Sequence, residues 1–130
     1  MAILDTDIIV SLLKGDSDAT EKIRTLEDRG EQLSTTIFTA YELLKGAYIS
    51  SRSDENLVKV RDSISTLQVL ELSLVACEEA AKIYKQLKEK GGLIGEFDIL
   101  IAAITRSHDE VLVTRDEHFR SIKEFKIIKW

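Results

Sequence analysis

An α/β domain with a mostly parallel central sheet of about five strands, covered by helices on both faces, is the fold this sequence predicts. Three observations lead there. Short runs rich in Ile, Leu, Val and Thr alternate with longer segments of helical period, as in parallel strands joined by crossover helices. One helical segment, "FDILIAAI", is apolar on nearly every side and belongs in the centre of a fold. The length of 130 residues suits one domain, which at this size buries roughly two thirds of the surface its unfolded chain exposes.

The elements follow in order. Residues 2–5 read as a short buried strand, and residues 7–13 as a helix stopped at Lys14 and Gly15, where glycine relieves the C-terminal backbone. A second helix is expected from about Ser17 to Arg29, closed by Gly30, and "QLSTT" reads as the second strand. From Ile37 the period changes. Ile37, Tyr41, Leu44 and Tyr48 recur at i, i+4, i+7 and i+11, the stripe of an amphipathic helix with Glu42 on its shoulder. "SRSDENL" marks a surface turn leading into a fourth helix that ends near Leu67, and "QVLEL" is the third strand.

Ser73 caps the next predicted helix, with Leu74, Cys77, Ala81, Tyr84 and Leu87 expected on its buried face. Glu78, Lys82, Lys85, Lys88 and Glu89 are expected to face water. "KGGLIGE" breaks this helix, and a sixth runs from about Glu96 to Ser107. "VLVT" reads as the fourth strand, residues near 117–121 as a short helix, and "KIIKW" as the fifth strand. No repeat, low-complexity tract or linker interrupts residues 1–130, which read as a single domain.

Composition narrows the function. One cysteine, Cys77, rules out an internal disulfide framework, and two histidines, His108 and His118, give no zinc spacing. With no basic leader and no apolar stretch near the ~18 residues of a membrane span, a cytoplasmic setting is expected. The net charge of −5 argues against a generic nucleic-acid scaffold, whose affinity comes mainly from Lys and Arg.

The acids carry the chemical signal. Asp5 interrupts the apolar run "AILDTDIIV", and an unpaired carboxylate in such surroundings costs several kcal/mol on the order of magnitude. Asp5 ends the first strand and Asp116 closely follows the fourth, so both are expected at the carboxyl edge of the sheet, where open α/β folds place their sites. Asp98 lies in the first turn of the apolar sixth helix, and Glu42 borders the core face of the third. Taken singly, Asp5 or Asp7 reads as a helix cap, Glu42 as a solubilising residue, Asp98 as an N-terminal helix acid and Asp116 as a turn former. Taken together they point to convergence. Two carboxylates ~4 Å apart at an effective dielectric of ~20 repel by roughly 4 kcal/mol, so they must take up protons or a cation. An oxygen-only donor set favours Mg²⁺ or Mn²⁺.

"ILDTDIIVSLLKG", "YELLKGA", "EFDILIAA" and "LVTRDEHF", in that order and over nearly the whole chain, resemble the PIN-domain family, in particular the VapC toxins of prokaryotic toxin–antitoxin pairs. The resemblance implies a PIN-like three-layer fold and a metal-dependent endoribonuclease of single-stranded RNA. Water would attack the phosphodiester and leave a 5′-phosphate and a 3′-hydroxyl. It places the family's acids on Asp5, Glu42, Asp98 and Asp116, as catalytic residues and ligands of Mg²⁺ or Mn²⁺, and its hydroxyl positions on Thr6 and Thr114. Asp7 stands where many relatives carry Asn, and it either adds charge to the site or caps the helix. Glu96 is an auxiliary acid on this resemblance, or else an exposed helix-start residue. Neither His108 nor His118 falls on a family position. The resemblance also implies a homodimer and a cognate antitoxin reaching into the acidic groove. Phe38, Tyr41, Tyr48 and Ile49 are candidates for such contacts, with core packing the alternative for Phe38 and Tyr41; Lys14, Lys45, Arg52 and Arg115 are candidates for phosphate contacts, with ordinary solvated charge the alternative for each.

Two other readings fit parts of the sequence. "LDTDIIV" approximates the opening motif of haloacid-dehalogenase-like phosphatases, with Asp5 as nucleophile, although Ile9 departs from it. The other rival is a PIN-like adapter that binds without cutting.

Overall fold

The computed structural model describes residues 1–130. Five strands, β1 (Ala2–Leu4), β2 (Leu33–Thr36), β3 (Gln68–Leu70), β4 (Val111–Thr114) and β5 (Lys126–Lys129), form one sheet in the order β3-β2-β1-β4-β5. Every pairing is parallel. Six α-helices connect them: α1 (Thr6–Leu13), α2 (Ser17–Asp28), α3 (Ile37–Ile49), α4 (Ser53–Ser65), α5 (Leu74–Glu89) and α6 (Glu96–Ser107). A 3₁₀ turn, Glu117–Ser121, follows β4. No helix is long and apolar enough to cross a membrane.

The central strand shows how the layers form. Ala2, Ile3 and Leu4 are all buried, but strand alternation sends Ile3 to one face and Ala2 and Leu4 to the other. Ile3 joins Ala80, Ile83, Leu87, Ile101, Ile104 and Phe119 in a core made largely with α5 and α6. Ala2 and Leu4 join Ile8, Ile9, Leu43, Leu57 and Val60 from α1, α3 and α4. The expected three layers are therefore present, with α6 as the central helix: Ile101, Ala102, Ala103 and Ile104 are each at most 1% exposed.

Polar side chains start most of the helices. Asp5, Asp16, Thr36 and Ser73 each accept a hydrogen bond from a first-turn N–H of α1, α2, α3 and α5. Gly15 and Gly30 take positive φ, 77° and 78°, just past the ends of α1 and α2, as the sequence predicted.

Two helix faces differ from expectation. In α5 the buried residues are Ala76, Ala80, Ile83 and Leu87, whereas Leu74 is 86% exposed and Cys77 is also exposed. Both sets have helical spacing. The one that contains two alanines wins because small side chains let α5 approach α6 closely, and Leu87 belongs to both sets. In α3 the buried line is Thr39, Ala40, Leu43 and Ala47, which leaves Ile37, Tyr41 and Tyr48 exposed. Tyr41 lies edge-on to Phe97, and Phe38, half-buried against the α5–α6 core, also meets Phe97.

Candidate active site

The β1–β4 register builds the floor of the site. Leu4 pairs with Val113, so the next residue along each strand, Asp5 and Thr114, lie side by side at the carboxyl edge of the sheet. The Asp5 N–H donates to the Val113 carbonyl at 3.0 Å, continuing the ladder for one more bond. Thr114, fully buried, donates its hydroxyl to Asp5 Oδ2 at 2.7 Å, while Asp5 Oδ1 accepts the Thr6 N–H at 2.8 Å. Asp5 is thus held in one orientation. Burial, opposed by the Thr114 bond and reinforced by the charge of Asp7, pushes its carboxyl up to about 6.

The other acids close around it. Asp5, Asp7, Glu42, Asp98 and Asp116 line one open cavity of about 480 Å³, together with Thr6, Val10, Ser11 and Arg115. The Thr6 hydroxyl, 3.1 Å from that of Thr39, donates to Glu42 Oε1 at 3.2 Å and so ties α3 to the start of α1. Asp98 comes from the first turn of α6. Its carboxyl is raised, first by burial and then by the charges of Asp116 and Glu42. Asp116 accepts the His118 N–H at 2.9 Å, and its own N–H donates to Thr114 Oγ1 at 3.0 Å. Asp7 is also raised by burial. Its Oδ2 accepts the Arg115 N–H at 3.1 Å, and its Oδ1 is buried without a protein partner.

The expected convergence is therefore observed for Asp5, Thr6, Asp7, Glu42, Asp98 and Asp116, with Thr114 beneath them. Glu96 is exposed and does not line the cavity: it lies in the same first turn as Asp98 but is turned outward by the helical period. Arg115 borders the cavity, its guanidinium 3.4 Å from Asp16. Lys14 lies in an adjoining groove of about 560 Å³ between α1, α3 and α4, which shares Thr6 and Glu42 with the acidic cavity. Lys45 instead lies over the Tyr41 ring, and Arg52 sits 3.9 Å from Glu55.

Two residues, Thr39 and His118, join the site without a clear mark in the sequence. Thr39, one turn before Glu42 in α3, was legible only as a helix position. His118 has its Nδ1 3.0 Å from Asp116 Oδ1. The signal for it was the two-residue spacing from Asp116 in a short turn.

The donor chemistry fits a divalent cation. Five carboxylates share one cavity, three of them pushed toward protonation by burial, and one buried oxygen lacks a partner. Such a set is stabilised by hard cations that accept oxygen ligands.

Fold and site together define a class: three-layer α/β proteins with an acidic pocket at the carboxyl edge of an all-parallel sheet. The PIN-domain family model matches residues 2–124, and the chain belongs to that family. It is 27% identical over 128 residues to ribonuclease VapC2 of Haemophilus influenzae, covering 98% of this chain and 96% of that protein. It is 28% identical to the tRNA(fMet)-specific endonuclease VapC of Shigella flexneri, covering 87% of this chain and 84% of the relative. Among solved structures, a DNA-bound VapBC from Salmonella typhimurium superposes with a TM-score of 0.91 at 27% identity, covering 99% of this chain and 97% of that one.

Proposed function

We propose that the chain is a Mg²⁺- or Mn²⁺-dependent endoribonuclease acting on single-stranded RNA, the toxin of a toxin–antitoxin pair. The observation that carries this reading is the meeting of Asp5, Asp7, Glu42, Asp98 and Asp116 in one cavity of a PIN-domain chain. Its relatives in Haemophilus influenzae and Shigella flexneri are a ribonuclease and a tRNA endonuclease.

Asp5, Asp98 and Asp116 would hold the ion, directly or through water, with Glu42 either completing the set or orienting the nucleophile. The ion, when bound, supplies positive charge for a phosphoryl oxygen and makes water a better nucleophile near neutral pH. The chain's own residues do the rest. Thr114 and the Thr6 N–H fix Asp5 in its orientation, and Thr6 and Thr39 set the position of Glu42. A carboxylate held this way accepts a proton from attacking water without first reorganising. Arg115 at the cavity rim and Lys14 in the adjoining groove offer positive charge to flanking phosphates.

The apolar groove that opens from the acidic cavity suits an antitoxin segment combining an apolar face with a basic residue. The exposed Tyr41, Tyr48 and Ile49 on α3 support pairing as a homodimer, which light scattering measures.

The deciding experiment incubates purified chain with single-stranded RNA and Mg²⁺ or Mn²⁺, and maps the ends. Internal cleavage leaving 5′-phosphates, lost on chelation and in Asp98→Asn, is the expected result. Intact RNA at high enzyme concentration would favour the non-cutting adapter.

A further inference from the structure

The 3₁₀ turn after β4 does more than end the strand. Asp116 caps it, and the ring of His118 returns to the same carboxylate, with Nδ1 3.0 Å from Asp116 Oδ1. Asp98 reaches the same place from α6. One donor atom each from Asp98, Asp116 and His118 lies within 4.8 Å of the others. The two acids are half-buried, whereas the His118 side chain is 64% exposed and lies on the solvent side of the pair.

From this placement we infer that His118 is a nitrogen donor toward the divalent cation, joining Asp98 and Asp116 at the open flank of the site. The inference rests on the metal-dependent reading above. It adds a residue that the family motif does not predict and changes which ion the site selects. Ligands around one small cation, each about 2.1 Å from it, stand roughly 3–3.5 Å apart. The three atoms lie within 4.8 Å of one another, so seating them around one ion takes a closure of at most about 1.5 Å, within reach of an exposed imidazole on a short turn.

The chemical consequence is selectivity. A site of carboxylates alone suits Mg²⁺, a hard ion that keeps its water shell and prefers oxygen. An imidazole in the set favours Mn²⁺, and more strongly Co²⁺ or Zn²⁺, over Mg²⁺. His118 is also free of core packing, so it can be replaced without disturbing the fold. Its ring neither fills a cavity nor caps a helix; the cap of the turn is the Asp116 side chain.

The test uses the full chain without an affinity tag, so that His108 and His118 are its only imidazoles. His108 lies at the opposite end of α6 from Asp98. Pulsed electron paramagnetic resonance of the Mn²⁺-loaded protein should show ¹⁴N coupling that disappears in His118→Gln and in His118→Ala. By calorimetry, both variants should lose about tenfold in Mn²⁺ affinity while Mg²⁺ affinity stays within about twofold. Asp98→Asn should abolish Mn²⁺ binding, placing the observed ion at this site. Mn²⁺ bound without ¹⁴N coupling, or equal affinity in wild type and His118→Gln, would overturn the role of His118 and leave the carboxylate site standing. Failure of the wild type to bind Mn²⁺ at all would overturn both.

Discussion

Replacing Asp5 by Asn should stabilise the metal-free protein while abolishing its activity. Asp5 is 6% exposed, and burial raises its carboxyl from the ordinary 3.8 to about 6. A group whose folded pKa lies above its unfolded value binds its proton more tightly when folded. Its stabilising effect is therefore full below pH 3.8, declines as the pH rises, and is lost above about 6. At pH 7 the loss amounts to about 3 kcal/mol, at 1.36 kcal/mol per pKa unit. Asparagine removes the charge and keeps an acceptor for the Thr6 N–H. Its amide must, however, donate toward Thr114 Oγ1, where the carboxylate accepted, and that exchange returns about 1 kcal/mol. The net gain is about 2 kcal/mol, or roughly 6–10 °C in Tm for a chain of this size. Thermal unfolding followed by circular dichroism in EDTA at pH 4 and pH 7 reads it directly. The variant should lead by that margin at pH 7 and trail by about 0.5 kcal/mol at pH 4, where most of the charge penalty is gone and the cost of the amide remains, and added Mn²⁺ should raise the Tm of the wild type alone. A lower Tm for the variant at pH 7 in EDTA, or an equal gap at both pH values, would refute the claim that Asp5 is a desolvated charge.

Glu42→Gln keeps the Thr6 hydrogen bond but removes the charge, and RNA cleavage should slow by about 10²-fold or more at unchanged Tm; near-normal kinetics would return Glu42 to a solubilising role. Glu79, bonded to Arg106 at 2.7 Å, titrates below its ordinary 4.5, chiefly through that bond. Its contribution should be present above pH 4.5 and vanish on acidification, so the Tm gap between wild type and Glu79→Gln should close as the pH falls below that value. Ile104→Ala should cost about 2–5 kcal/mol in urea unfolding because Ile104 is fully buried in the central helix. Cys77→Ser should change stability by less than about 0.5 kcal/mol, whereas Ala80→Leu should cost about 1–3 kcal/mol by forcing α5 off its packing face.

The order of strands and helices was legible because each element carried its own local signal. Asp16, Ser73, Gly15 and Gly30 mark boundaries by backbone chemistry that needs no tertiary partner. The buried faces of α3 and α5 were not legible in the same way. Each helix carries two apolar lines at helical spacing, and periodicity counts apolar residues without weighing their size. Leu74 and Tyr84 outweigh Ala76 and Ala80 in hydrophobicity, yet the alanines permit the close α5–α6 contact and the larger side chains are left in solvent. The core assignment of Cys77 failed for that reason.

The acidic set was legible for a different cause. A carboxylate inside an apolar run is costly unless the fold supplies a partner, so its position in the sequence already states a demand on the tertiary structure. The β1–β4 register meets that demand for Asp5 with Thr114, and α6 brings Asp98 to the same edge. What the fold does not supply is positive charge at the centre of the cavity. Arg115 reaches Asp7 through its backbone N–H, while its guanidinium turns toward Asp16. A protein selected for stability alone would place a cationic side chain among five carboxylates, or replace some of them by Asn or Thr. Instead three of the acids stay desolvated with raised pKa values. The strain is concentrated in one cavity while the surrounding core is packed and its helix starts are capped, a distribution that follows when the missing charge arrives from outside the chain.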